Sequence, residues 1–236
     1  MSEANDGAAE TPPERSFAAA AGVFLRLLGL IYAFAFGSLA TQIRGLVGAH
    51  GILPAAPILH SIRAELGPAA FFRAPTVFLL GSSDATLEAV CCIGAVVGVA
   101  VALGLLQAPL LAVEWALFLS VCVVGQDFLG FQWDALLLET GFLAIWLAPW
   151  ALRTHWRDLQ APRPLPLWLL RFLLFRLMFA SGVVKLGSQD PTWRNLTALQ
   201  FHFETQPCRR GPPSRRTTSR RRCSRLRPPS CSSSSW

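Results

Sequence analysis

Charge is scarce in this sequence. Of its 236 residues, 15% are Asp, Glu, Lys or Arg, where soluble domains carry about 25%. The mean hydropathy is +0.43, and the 53% of residues that are hydrophobic gather in long blocks. That composition excludes an ordinary water-soluble domain. Acid is missing from one region altogether: residues 208–236 hold nine Arg and neither Asp nor Glu. Without that tail, twelve basic residues face fourteen acidic ones, a net charge of −2. The formal charge of +7 therefore belongs to the tail and does not argue for a nucleic-acid partner. No CxxC or zinc-ligand spacing occurs. Cys91, Cys92 and Cys122 sit in apolar blocks and Cys208, Cys223 and Cys231 in the tail, so packing is the expected role rather than redox or metal chemistry. No nucleophile set, metal motif or nucleotide loop is present, so neither a cofactor nor an enzyme is expected. A basic n-region is absent before the first apolar block, and that block is too long for a cleaved signal peptide.

What is present is a series of membrane-length apolar segments. Residues 1–16 are polar, with four acids and one Arg, and read as disordered. Five spans are expected over 17–187: about Phe17 to Gln42, Leu87 to Leu106, Pro109 to Gly125, Ala135 to Trp150, and Leu167 to Gly187. The fold class is thus all-α, a polytopic integral membrane protein of about five transmembrane helices. Gly29, Ala33 and Gly37 form a small-residue ladder in the first span, and Gly94 with Gly98 a GxxxG pair in the second; both let helices approach closely. The connection from Gly45 to Arg73 is amphipathic and broken by Gly and Pro. Ala69 to Leu80 is too short to span and suits the interface. PRPLP at 162–166 is a stiff connector. Trp133, Trp150, Trp168 and Trp193 fall near span ends, where aromatic belts form.

Charges inside such segments are costly, about 2.5–3.5 kcal/mol each at a helix centre on insertion scales, so they must face partners. Gln126–Trp150 carries Asp127, Asp134 and Glu139; Trp168–Gly187 carries Arg171, Arg176 and Lys185. Together with Arg26 these form a polar spine. Arg26 either faces the bundle or snorkels to the near interface. Asp134 and Glu139, five residues apart, lie about 140° apart on a helix and suit two different neighbours better than one acid–base site. Glu114 lies in the first turns of the third span. Helix-to-helix ion pairing is favoured over a proton or ion path. Positive charge is balanced across the expected topology. Arg15, Arg153, Arg157 and Arg163 fall on one side and Arg44, Arg63, Arg73 and Arg194 on the other; the dense cluster at 153–163 tilts the first side towards the cytosol. Asn195-Leu196-Thr197 is a glycosylation sequon, eight residues beyond Gly187 and too near the membrane to expect use.

Four stretches carry a family resemblance. FQWDALLLETGFLAIWLAP at 131–149 resembles the signature of the lipase maturation factors, and WLLRFLLFRLMFASGVVKL at 168–186 their next block. DPTWRNLTALQFHFETQP at 190–207 is similar to the segment that follows, and GLVGAHGILPA at 45–55 to the first loop. The resemblance implies a multi-pass protein of the endoplasmic reticulum membrane (the plasma membrane, were the source bacterial) that helps secreted lipases fold and assemble. It also implies a cytosolic N-terminus, with 188–207 starting a lumenal region. Within that region Trp193, His202 and Glu204 are candidate motif residues, structural rather than catalytic. The family continues beyond ETQP, and client recognition is assigned to that continuation; here the tail 208–236 is expected to be unfolded, with the composition of a shifted reading frame or a faulty gene model. The expected partners are the lipid bilayer and client lipases. The competing functions are an intramembrane enzyme and a proton or ion pathway using the buried charges.

Overall fold

A computed structural model describes residues 12–155 and 161–199, with side chains from Phe17 onward. Among these residues all extended regular structure is helical: α1 (Pro12–Val47), α2 (Ala55–Leu66), α3 (Ala70–Arg73), α4 (Asp84–Ala102), α5 (Gln107–Gly125), α6 (Gln132–Leu147), α7 (Pro164–Gly187) and α8 (Pro191–Arg194). The described residues fall into two units, one up to Ser181 and one from Gly182.

Four helical segments are long and apolar enough to cross a bilayer: Phe17–Val47, Asp84–Ala102, Gln107–Leu129 and Pro164–Gly187. The all-α polytopic architecture is therefore as expected, with a change in the count. The expected fourth span forms as α6, but its 16 residues reach only about 24 Å at 1.5 Å per residue, short of the roughly 30 Å hydrocarbon core. Pro149 and the extended Ala148 end it early. The first span is longer than expected, running without a break into GLV at 45–47. PRPLP is only half connector, because Pro164 and Pro166 occupy the first turn of α7, where a missing N–H leaves no helical bond unmade.

In the first unit, α1 and α4 are the most intimate pair. Buried residues of α1 recur at Leu25, Leu28, Tyr32, Phe36, Ile43 and Val47, a stripe at three- and four-residue spacing that defines one helix face. Into this stripe α4 presents Gly94 and Gly98. A Cβ on Gly98 would lie 2.7 Å from the Ala33 backbone nitrogen, and one on Gly29 would lie 2.7 Å from that of Ala102. A Cβ on Gly94 would enter the Phe36 ring at 2.5 Å. The backbones thus touch where the two small-residue ladders face each other. Gly37 is not part of this contact, since a Cβ there would meet nothing within 4 Å.

Helix α5 packs against α4 and α6. Its Phe118 ring meets Tyr32 and Phe36 edge-on, with centroids at 5.8 and 5.7 Å. The Tyr32 hydroxyl donates to the Leu137 carbonyl of α6 at 3.1 Å. It fits only because Gly141 lies opposite: a Cβ there would sit 2.0 Å from the oxygen. The connection after α1 is a tight turn closed by bonds from Gly51 to Gly48, Ile52 to Gly45 and Leu53 to Leu46. Asp84, at the start of α4, accepts from the Ala49 N–H at 2.7 Å and ties the turn down. The stretch expected at the interface folds as α3 and a short 3-10 turn, pinned to α5 by Thr76 Oγ1 donating to the Ser120 carbonyl at 3.2 Å.

In the second unit the described part is the end of α7, a turn, and α8. Asp190 caps α8 by accepting from the Thr192 N–H at 2.9 Å.

The glycine contact makes a direct prediction. Gly98→Ala forces backbone apart and is expected to destabilise the bundle by about 1–3 kcal/mol, lowering the midpoint in detergent denaturation and the steady-state level. Gly37→Ala, introducing its methyl into open space, is expected to cost nothing. Equal behaviour of the two variants would contradict the packing.

Candidate functional site

The polar spine expected from the sequence does not converge on one point. Its members fall into several separate arrangements. Glu139 on α6 and Arg176 on α7 form a direct ion pair. They border a small cleft of about 230 Å³ whose other walls are Phe142, Leu143, Leu169, Phe172 and Leu173. Both side chains are partly open to the surroundings of the bundle. In water such a pair would add little. Against hydrocarbon each charge alone would be costly, and mutual neutralisation is what allows either to be there.

Among the described residues Asp134 does not pair with a base. It is buried at the third position of α6, and its Oδ2 accepts from the Phe131 N–H at 3.2 Å. It serves the helix start, where free N–H groups and the helix dipole favour an anion. Asp127 lies exposed in the 3-10 turn Gln126–Leu129. Arg171 lies over the Phe17 ring, 5.4 Å from its centroid, a cation–π contact tying α7 to the start of α1. Lys185 makes the same kind of contact with Trp193 at 4.9 Å within the second unit. His202 and Glu204 lie outside the described residues.

Arg26 takes a position between its two expected ones. It donates to the Gly22 carbonyl at 3.1 Å and to the Thr154 carbonyl at 2.6 Å, clamping the loop after α6 to α1. That loop is further held by a short antiparallel contact: Thr154 N–H donates to Gly104 O at 2.8 Å and Leu106 N–H to Leu152 O at 3.0 Å. Gly104 (φ +82) permits the turn, and a Cβ there would lie 2.9 Å from the Thr154 oxygen.

Among the described residues no three His, Cys, Asp or Glu side chains gather as metal ligands would. Cys91, Cys92 and Cys122 are free thiols. What the arrangement can do chemically is hold helices together by charge and capping.

The family description "Lipase maturation factor transmembrane domain" matches residues 19–212. The chain belongs to the lipase maturation factor family. It is 44% identical over 200 residues to Lipase maturation factor 2 of Homo sapiens, covering 78% of this chain and 28% of that protein. It is 47% identical over 197 residues to Lipase maturation factor 2 of Gallus gallus, and 36% identical over 198 residues to Lipase maturation factor 1 of Bos taurus. The chain therefore spans about a third or less of the length of these relatives, 27–34% of each. No solved structure matches it.

In this family member, sequence reasoning passed over the most deeply placed acid. Glu114 is fully buried, and neither carboxylate oxygen has a hydrogen-bond partner among the described residues. Its spacing was the available signal: Leu111, Glu114, Phe118 and Val121 are all buried and recur every three to four residues, so Glu114 faces inward rather than outward. Gln107, four residues before Leu111, extends the same stripe; Thr154, in the loop after α6, carried no such signal, and each is buried with one side-chain oxygen unsatisfied among the described residues.

The Glu139–Arg176 contact is testable by exchange. Glu139→Ala or Arg176→Ala is expected to lower the steady-state level, because each leaves one charge against lipid. The double exchange Glu139→Arg with Arg176→Glu is expected to recover much of it. An exchange as damaging as the single changes would mean the two groups do not meet. Single variants that accumulate normally yet abolish function would instead favour a chemical role for the pair.

Proposed function

We propose that this chain forms the membrane part of a maturation factor that assists secreted lipases to fold and assemble at the endoplasmic reticulum membrane. The observation that carries the reading is membership of the lipase maturation factor family across residues 19–212. The relatives are named for lipase maturation, and the reading extends that role to this chain. A non-catalytic mode of action is supported by the use of the polar side chains: Glu139 pairs with Arg176, Asp134 caps a helix, and Arg26 fastens a loop. The partners in this reading are the bilayer and client lipases. Client contact is proposed to involve regions that the relatives possess beyond the stretch they share with this chain.

The test is expression of the whole chain, beside a full-length relative, in cells that lack endogenous lipase maturation factors and secrete a lipase reporter. The chain is expected to fractionate with endoplasmic reticulum membranes, and a chimera in which residues 19–207 of this chain replace the matching stretch of the full-length relative is expected to restore lipase secretion and to crosslink newly made lipase. Fractionation with another membrane, or a chimera that restores nothing where the full-length relative does, would overturn the reading.

The proposal includes an orientation, with residues 1–16 cytosolic and 188–207 lumenal. The Arg cluster at 153–163 supports the first assignment. The short helix α6 decides whether the two ends differ in side. Glycosylation reporters placed after residues 128 and 160 are expected to report opposite sides if α6 crosses. The same side at both positions would make α6 a half-span and put the two ends together.

A further inference from the structure

At one end of the first unit lies a cavity of about 480 Å³ that none of the roles above uses. Three elements wall it. The start of α1 supplies Ala18, Ala21, Gly22 and Leu25, small residues that leave room; the start of α5 supplies Gln107; the chain from Leu147 to Thr154 and Ala161 to Arg163 closes the rest. The volume is in the range of small-molecule sites, roughly 300–1,000 Å³.

The charge in the lining is of one sign. Arg153 and Arg163 line the cavity, and among its described lining residues there is neither Asp nor Glu. Neither arginine forms an ion pair among the described residues. Behind the wall, Arg26 donates to the Thr154 carbonyl. A guanidinium fork suits phosphate oxygens.

Two lining residues also carry unmet polar atoms. Gln107 is wholly buried, and its Nε2 donates to the Val101 carbonyl at 3.3 Å while its Oε1 has no partner among the described residues. Thr154 is 7% exposed; its backbone is fully engaged, but its Oγ1 is also unmatched. Unsatisfied buried polar atoms are expensive. Each of the two has under 1 Å² of accessible surface, so both lie beneath the cavity wall rather than on it.

The surroundings are apolar. Trp150 and Leu152, just before Arg153 in the chain, are 72% and 75% exposed. A tryptophan beside arginines at the end of membrane-length helices marks the headgroup level of a bilayer. We propose that this cavity binds the headgroup of an anionic phosphoglyceride. Its phosphate sits between Arg153 and Arg163, and its acyl chains lie along the exposed apolar surface outside.

The test uses the whole chain in lipid nanodiscs. Discs of phosphatidylcholine alone are compared with discs that also contain phosphatidylserine or phosphatidylinositol, with retained lipid read by native mass spectrometry and thermal stability in parallel. The anionic lipids are expected to stay bound and to raise the melting temperature. Removing either arginine by Arg153→Ala or Arg163→Ala is expected to weaken retention about fivefold, and both together about thirtyfold. The wild-type comparison stands even if a variant does not fold: retention of phosphatidylcholine equal to that of the anionic lipids overturns the proposal. Equal stabilisation of phosphatidylcholine discs by millimolar inorganic phosphate would make the ligand a soluble anion and overturn the assignment to lipid.

Discussion

The contact between α1 and α4 sets the geometry of the bundle. In a bilayer there is little hydrophobic gain from bringing apolar helices together, because lipid tails are as apolar as Leu. Association depends on close van der Waals contact and on polar groups that cannot be left in hydrocarbon. Gly29 and Gly98 remove the side chains that would hold the backbones apart. The approach they permit places Phe36 over Gly94 and sets Tyr32 to reach α6 past Gly141. Phe118 then completes the aromatic centre from α5. Each later contact in the centre presupposes the first.

Around that centre, each polar group has been given a local solution. Asp134 meets a free N–H at a helix start, Glu139 meets Arg176, and Arg171 rests on an aromatic face. Arg26 bonds carbonyls of a loop rather than reaching back to bulk water. These are different answers to one constraint, the cost of an unmatched polar atom in a medium without water. Glu114, Gln107 and Thr154 stand apart because they keep unmatched oxygens inside the same medium.

Membership of the lipase maturation factor family gives this architecture its context. A bundle joined by small-residue contacts and isolated ion pairs is suited to carrying and positioning something else. The stretch held in common with the relatives is the membrane part, 28% of the human protein, so the chain embodies the frame on which the rest of such a protein is built. That frame has its own chemistry at one end, where arginines and buried amide and hydroxyl groups collect beside exposed Trp150.

The class of fold was legible in the sequence because it follows from composition and length alone: blocks of about twenty apolar residues have only one form that satisfies their backbone in lipid. The small-residue ladders were legible for the same local reason, as periodicity and size are properties of one helix. So was the family, carried by contiguous motifs. What each charge touches was not legible, because partners come from segments far apart in the chain. Periodicity shows that Asp134 and Glu139 face different ways, yet only the packed bundle turns one to a helix start and the other to Arg176. Likewise Gly37 sits in the ladder by spacing, but a Cβ there would meet nothing within 4 Å, while Gly29 and Ala33 lie against α4. The sequence by itself determined that apolar helices form and which faces can approach. The tertiary structure alone decided where they cross, which polar atoms meet, and which are left unmatched, since those outcomes depend on distances between helices that no single helix encodes.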